Sequence, residues 1–376
     1  IQAVIATDEV SVGGVKTSME NGLLLMVDKA LNINGPFEGI LGLGLPAKAR
    51  WGMGLIQKSG MKFDGGEDYE PPEFLPEADI SRFSLCFNNG ADGALRLGAK
   101  ETLDMPMADK LGSFGQVHWG VGLTGIFVGE GKSKVQLDVC RPDYDGGPEI
   151  PSGQATVCGG IPDSGTTAIM APEASLEVLF EGICSEWDRC DKAAKKNKMP
   201  KAQAFVDVLA DCGSWLDGKS EGLSELPTLH FRVQGSRHGQ MQDLELAGWF
   251  YVFETVEEEY ELVSEHFRAF APRAQSSHKH TGQRKTCAPA FGVMDMPTKT
   301  NGDAWILGTS FFYAYNVKYD LEDGSMSFAE EQCGSCGDSA TLVSQGTKID
   351  SAALAHSPRQ VPGSWRVSHF NTTGEM

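Results

Sequence analysis

The stretch Ile161-Pro162-Asp163-Ser164-Gly165-Thr166-Thr167-Ala168-Ile169-Met170 places an aspartate between two short apolar segments. A glycine two residues after Asp163 allows the backbone to turn tightly beside the carboxylate. Hydroxyl and backbone N–H groups in such a turn can donate hydrogen bonds to the carboxylate and orient it. The stretch therefore predicts Asp163 as a catalytic carboxylate, with a supporting loop of Ser164, Gly165, Thr166 and Thr167. A surface Asx turn is the alternative that Asp-Ser-Gly alone leaves open.

Around this stretch, most of the chain alternates apolar and polar residues with a period of two. Leu229, Phe231 and Val233 alternate with polar neighbours, and Gly13-Gly14 and Glu322-Asp323-Gly324 supply turns between similar segments. Period-two alternation bounded by turn residues is typical of half-buried antiparallel strands. We therefore predict an all-β fold.

Helical patterns are few. Pro172 followed by an apolar stripe at helical spacing predicts one helix, and Ala202 to Leu209 a second. The Lys-rich segment Asp191 to Lys201 and the basic segment Arg268 to Lys285 are interpreted as surface loops. Residues 331–376 are rich in Ser, Gly and Thr, and we predict a disordered tail there.

Charge and composition exclude some classes of function. The chain has 376 residues and a formal net charge of −19, so a nucleic-acid-binding surface is not expected. No apolar run is long enough to span a bilayer. Nine cysteines favour disulfides and a secretory route. Cys184 and Cys190 form a plausible local pair, whereas Cys333-Gly-Ser-Cys336 is interpreted as a tail disulfide rather than a redox or metal motif. No metal site is predicted.

Several motifs, taken in order, resemble those of the pepsin-like aspartic proteases over roughly the first 330 residues. Asp163-Ser164-Gly165-Thr166 is similar to the catalytic motif of that family's C-terminal lobe. Trp305-Ile306-Leu307-Gly308 is similar to the segment that packs beside it, and Phe37 to Gly44 to the equivalent segment of the N-terminal lobe. Leu226 to Phe231 is similar to a Leu-Pro-x-Ile-x-Phe strand of the family.

The resemblance implies a bilobal acid-protease fold with an incomplete N-terminal lobe. Residues 1–112 would be the remainder of that lobe, and residues 113–330 the C-terminal lobe. Leu307, Gly308, Ile40, Leu41 and Gly42 would support the active site. Thr166 and Thr167 would either contact the substrate backbone or only support the loop. The resemblance also implies a disulfide between Cys212 and Cys287, and a second between Cys140 and Cys158.

The family uses two aspartates, and this chain has one Asp-Ser/Thr-Gly motif. Residues Ile1 to Val15 resemble the strand pair that follows the family's active-site flap, so the first Asp-Thr-Gly is expected before Ile1 or on an associated light chain. We expect an aspartic endopeptidase in the complete protein, and an inactive chain in isolation. A non-catalytic pepsin-like protein that binds a ligand in its cleft is the alternative.

The remaining expectations follow from the same resemblance. The substrate would be a peptide or protein, cleaved by water and two aspartates without a cofactor. The location would be the secretory pathway, with an extracellular, vacuolar or lysosomal destination. The roles of Cys86, Cys333 and Cys336 are not determined by the resemblance.

Overall fold

A computed structural model describes residues 3–26, 39–45, 61–62, 68–69, 72–99, 107–114, 118–131, 133–135, 137, 159–216, 221–265, 276–296, 303–334 and 359–360. This part of the chain is predominantly β and contains several sheets. The prediction of a mainly β protein is therefore confirmed at that level.

Strands outnumber helices among the described elements. The strands are β1 Ala3–Val12, β2 Val15–Met26, β3 Met61–Lys62, β4 Asp68–Tyr69, β5 Ile80–Asn88, β6 Ala91–Ala99, β7 Leu111–Gly112, β8 Gly122–Val128, β9 Ser133–Lys134, β10 Gly159–Pro162, β11 Ile169–Ala171, β12 Leu229–Gln234, β13 Met241–Leu246, β14 Val252–Glu265, β15 Ser276–Pro289, β16 Phe291–Val293, β17 Ala304–Leu307, β18 Asn316–Asp320, β19 Ser325–Ala329 and β20 Arg359–Gln360. The α-helices are α1 Phe74–Glu77, α2 Glu173–Glu186, α3 Asp188–Asn197, α4 Lys201–Ala210 and α5 Thr309–Ala314. Short 3₁₀ turns occur at Cys212–Ser214, Gly222–Glu225 and Gly248–Tyr251.

The first two strands form a hairpin through the predicted glycine turn. Gly13 and Gly14 both have positive φ, at 58° and 83°. This is the conformation that a two-residue hairpin loop requires and that glycine adopts without steric cost. The strand pair β1–β2 is a separate two-stranded sheet, and Val4, Leu24 and Leu25 on it are about half exposed.

A five-stranded sheet joins early and late parts of the chain in the order β6-β5-β18-β19-β7. The early strand β5 pairs antiparallel with the late strand β18, with Phe83 opposite Tyr319. Apolar side chains alternate towards the core, and Phe83, Val317 and Met326 are almost completely buried. The sheet therefore links the segments that the sequence assigns to two lobes.

Both predicted helices are confirmed. Helix α2 begins directly after Pro172, and its apolar stripe, including Leu176, Leu179 and Ile183, is fully buried. Helix α4 covers Lys201–Ala210. These helices pack together through Phe180 and Phe205, whose ring centroids lie 4.9 Å apart.

The interpretation of Asp191 to Lys201 as a surface loop is wrong, because α3 occupies most of it. Asp188 and Asp191 lie in the first turn of this helix, and lysines lie in the last. This arrangement complements the helix dipole. Asp188 also pairs with Lys192 four residues later at 2.8 Å, and Asp191 pairs in the same way with Lys195.

The interpretation of Arg268 to Lys285 as a loop is also wrong from Ser276 onward, where β15 begins. The register with β14 aligns Glu257 with Arg284 and Glu261 with Lys279. Backbone pairing along this register therefore forms a strand even where the sequence is polar.

Three disulfides connect described cysteines: Cys184–Cys190, Cys212–Cys287 and Cys86–Cys333. The first two confirm the predicted pairs. The third shows that Cys333 bonds to Cys86 on β5, so the predicted tail disulfide is wrong. Asn88 and Arg96 reinforce this connection by donating hydrogen bonds to the carbonyls of Cys333 and Gly334, at 3.0 and 3.3 Å.

The remaining cysteine predictions lie outside the described residues, namely those for Cys140, Cys158 and Cys336. The predicted disordered tail, residues 331–376, is described only at residues 331–334 and at β20, which pairs with β14. No helix among the described residues has both the length and the apolar character needed to cross a membrane.

Candidate active site

Asp163 lies in a loop between two strands that do not pair with each other. Strands β10 and β11 flank the loop, and β17 lies between them in a sheet of order β10-β17-β11-β16. Strand β17 runs parallel to β10 and antiparallel to β11. Because β17 comes from residues more than a hundred positions later, the loop is supported by a distant segment of the chain.

The carboxylate of Asp163 accepts two hydrogen bonds from its own loop. The backbone N–H of Gly165 donates to Oδ1 at 2.8 Å, and the hydroxyl of Thr166 donates to Oδ2 at 2.6 Å. Each oxygen has one donor, so the carboxylate plane is oriented by the loop. The side chain is half-buried, which leaves part of it accessible to a reacting group.

The predicted supporting segment lies directly beside this loop. The N–H of Asp163 donates to the carbonyl of Leu307 at 3.1 Å. A β-carbon at Gly308 would lie 2.1 Å from the carbonyl oxygen of Ala168 and 2.5 Å from that of Thr166. A side chain at position 308 is therefore incompatible with this contact, which explains the glycine in physical terms.

Thr309 makes two further bonds to the loop. Its N–H donates to the carbonyl of Thr166 at 2.8 Å, and its hydroxyl donates to the carbonyl of Thr167 at 2.7 Å. The carbonyls of two successive loop residues are thus held by one residue. Thr309 was not among the predicted site residues, although it immediately follows the Leu-Gly pair of the supporting segment.

Small apolar clusters lie beneath the loop. Ala168 packs with Phe253 and Ala290, which are fully buried. On the other side, Ile161 and Ile306 pack together against the half-buried Met294 and Met296. Buried apolar side chains therefore pack against both ends of the loop.

An aromatic cluster lies within electrostatic range of Asp163. Burial raises the pKa of Tyr319, and the negative charge of Asp163 raises it further. The Tyr319 ring stacks on Phe83 with centroids 4.4 Å apart, and Trp119 packs at 5.2 Å. Tyr319 and Trp119 were not among the predicted site residues.

The equivalent segment of the N-terminal lobe, with Ile40, Leu41 and Gly42, lies in a different environment from the segment beside Asp163. The indole N–H of Trp119 donates to the carbonyl of Leu43 at 3.1 Å, which connects this segment to the aromatic cluster. However, Ile40 is 74% exposed and Leu41 is 41% exposed. A β-carbon at Gly42 would meet no atom within 4 Å. Among the described residues, Ile40, Leu41 and Gly42 therefore have no loop packed on them, in contrast to Ile306, Leu307 and Gly308.

Two predicted loop residues have less defined contacts. Ser164 is half-buried, and Thr167 contributes its carbonyl to Thr309. The described residues contain no group of three or more His, Cys, Asp or Glu side chains placed to hold a metal ion.

No family model matches this chain, and no curated protein matches it at a significant level. The interpretation of the site therefore depends on its residues and geometry.

Proposed function

We propose that the complete protein is an aspartic endopeptidase of the pepsin-like type and that Asp163 supplies one of its two catalytic carboxylates. The observation that carries this proposal is the geometry of the Asp-Ser-Gly-Thr loop. Its carboxylate is oriented by one backbone N–H and one hydroxyl, and the loop is braced by Leu307 and Gly308. The substrate class is peptides and unfolded proteins.

The chemistry requires a second carboxylate. In a carboxylate pair, one group is ionised and removes a proton from the attacking water, while the other is protonated and donates a hydrogen bond to the scissile carbonyl. Two close carboxylates share one proton because both cannot ionise cheaply. Asp163 alone can fill only one of these roles at a time, so we expect this chain to need a partner carboxylate.

The exposed segment Ile40–Gly42 supports a position for that second group. Ile306, Leu307 and Gly308 receive the Asp163 loop, whereas the similar residues Ile40, Leu41 and Gly42 receive none among the described residues. We propose that a segment with a second Asp-Ser/Thr-Gly loop packs there, supplied either by a segment before Ile1 or by a separate light chain. The exposed Val4, Leu24 and Leu25 on the first hairpin would be covered by the same segment.

Cleavage assays test this proposal. The 376-residue chain alone is expected to leave an unfolded protein intact at acidic pH. The same chain joined to the coding segment upstream of Ile1, if that segment contains Asp-Ser/Thr-Gly, is expected to cleave it and to bind a pepstatin-like inhibitor. Asp163→Asn should abolish cleavage, whereas Asp188→Asn, at an exposed carboxylate on α3, should not.

Robust acid cleavage by the isolated chain that disappears in Asp163→Asn would contradict the need for a second carboxylate. Failure of the extended, folded protein to cleave or to bind the inhibitor would contradict the proposed activity.

A second candidate function is non-catalytic peptide binding. The observation that favours it is the presence of one Asp-Ser/Thr-Gly motif in the chain. It predicts peptide binding that survives Asp163→Asn and shows no turnover, measured by calorimetry and by mass spectrometry of the peptide.

We also propose a secretory route with an extracellular, vacuolar or lysosomal destination. Three disulfides favour an oxidising compartment. The net charge of −19 means that self-repulsion falls as carboxylates protonate in acid.

A further inference from the structure

The carboxylate of Asp163 lies on a loop that is also held by Thr309, a residue outside the Asp-Ser-Gly-Thr motif. Thr166 is the hydroxyl donor to Asp163 Oδ2, and its own carbonyl accepts from the N–H of Thr309. The next carbonyl, that of Thr167, accepts from the hydroxyl of Thr309. Thr309 therefore holds the two successive peptide groups that follow Thr166 in the loop.

The hydroxyl of Thr309 is not explained by the helix that begins there. Thr309 is the first residue of α5, and the capping position is Gly308, which has no side chain. The close approach of Gly308 to the carbonyls of Ala168 and Thr166 places Thr309 against the loop. Because Gly308 has no side chain, the supporting segment can come close to the loop. The hydroxyl of Thr309 is then near enough to donate to the carbonyl of Thr167.

We propose that Thr309 is a positioning residue, which acts through Thr166 and Thr167 to orient the carboxylate of Asp163. This inference rests on the proposed role of Asp163 and adds a residue that contacts neither substrate nor the reacting atoms. Without the Thr309 hydroxyl, the Thr167 carbonyl loses its bond, and the Thr166 hydroxyl is freer to rotate away from Asp163. The ionised carboxylate then loses part of its stabilisation.

The test compares Thr309→Val, which keeps the shape but removes the donor, with Thr309→Ser, which keeps the donor. Both are made in the 376-residue chain, and the acid dissociation constant of Asp163 is measured by carbon NMR of labelled aspartate. The Asp163 signal is identified by its loss in Asp163→Asn. We expect Thr309→Val to lower the dissociation constant by about threefold or more, and Thr309→Ser to leave it nearly unchanged.

Thr124→Val is the matched control, because the Thr124 hydroxyl also donates to a backbone carbonyl, that of Arg232, at 3.2 Å. It should leave the titration of Asp163 unchanged, even where it lowers the melting temperature. Circular dichroism establishes that each variant is folded, and Thr309→Ala replaces the valine variant if the latter does not fold.

An unchanged Asp163 titration in folded Thr309→Val, with or without a lower melting temperature, would overturn the proposal. A change of equal size in Thr309→Ser or in Thr124→Val would overturn it as well. Because the titration requires no proteolysis, its result is separate from the cleavage assays, so the positioning role and the proposed function can each fail alone.

Discussion

At the scale of single residues, Gly308 and Asp163 depend on each other. The carboxylate is oriented by its own loop, and the lack of a side chain at Gly308 allows the supporting segment to come close to two carbonyls of that loop. The requirement for glycine arises from this approach and not from backbone conformation, since φ at Gly308 is −70°. A residue that never touches the carboxylate thus contributes to the position of the loop that carries it.

Replacing Gly308 with alanine is expected to destabilise the protein by about 3 kcal/mol, because backbone oxygens cannot move aside as a flexible side chain would. Urea denaturation followed by tryptophan fluorescence measures the change. Gly131→Ala is the control, since a β-carbon there meets no atom within 4 Å. Equal stability of the two variants would mean that the close approach is absent in solution.

At the scale of elements, the segment after β19 is fastened to the two strands that precede β19 in the sheet order, β5 and β18. Cys333 bonds to Cys86, and Lys318 Nζ lies 2.8 Å from Glu331 Oε1. Lys318 is almost fully buried, so Glu331 is the partner that compensates its charge. The disulfide and the ion pair together hold the segment that follows β19, the second strand of the β18–β19 hairpin.

The Cys86–Cys333 disulfide spans 247 residues, whereas Cys184–Cys190 spans 6. If the disulfides act by restricting the unfolded chain, the longer loop contributes more, by about 5 kcal/mol against about 2 kcal/mol. Cys86→Ala with Cys333→Ser should therefore destabilise the protein more than Cys184→Ala with Cys190→Ala. Thermal and urea unfolding under non-reducing conditions provide the comparison, and a larger loss from the short loop would contradict it.

Much of the element-level structure could be predicted from the sequence, and the failures have specific causes. The turn at Gly13-Gly14 and the stripe of α2 are local signals that depend on residues close together in sequence. Helix α3 was missed because its alanines and lysines form no apolar stripe; dipole-complementing charges and the burial of Cys190 and Ala194 favour it. Strand β15 was missed because its polar sequence has no period-two apolar pattern, and the strand forms by backbone pairing with β14.

The candidate site was likewise predictable only where its residues are close together in sequence. Asp163 and its donors Gly165 and Thr166 lie within four residues, so the motif was sufficient to identify them. Thr309 and Tyr319 reach the site through the insertion of β17 and the pairing of β18, which no local pattern reveals. The exposure of Ile40 and Leu41 was equally beyond prediction, since their sequence reads like that of the buried Ile306 and Leu307.

At the scale of the whole molecule, a small cluster of charged side chains connects distant parts of the chain in the five-stranded sheet. It joins β5 and the residue before β7 to the end of β18. Asp320, with a side chain only 1% exposed, lies 3.0 Å from Arg82 Nε and 2.8 Å from Lys110 Nζ. Lys110 also lies 3.1 Å from Asp323. Burial raises the pKa of Asp323, but hydrogen bonds from Ser325 and Lys110 outweigh it and hold that pKa below the ordinary value.

A carboxyl with a lowered pKa stabilises the folded protein above the pKa of the unfolded chain, about 4, and this contribution is lost as the pH falls further. Lys110→Met should thus reduce stability at pH 7 by about 1 kcal/mol, and the difference from the wild type should shrink below about pH 4. Urea unfolding across this pH range tests it. Lys192→Met, at an exposed pair with Asp188, should have little effect at any pH. A difference for Lys110→Met that persists in acid would contradict the role of the lowered Asp323 pKa.

The pairing of β5 with β18 also determines when the protein can finish folding during synthesis. More than two hundred residues separate these strands, and at ordinary ribosomal rates they emerge roughly 10–50 s apart. During that interval the β5 edge, with Phe83 and Leu85 on it, has no partner and is open to pairing with other chains. We therefore expect this exposed edge to favour association between nascent chains until the last strands appear, and co-expressed chaperones to raise the yield of folded protein.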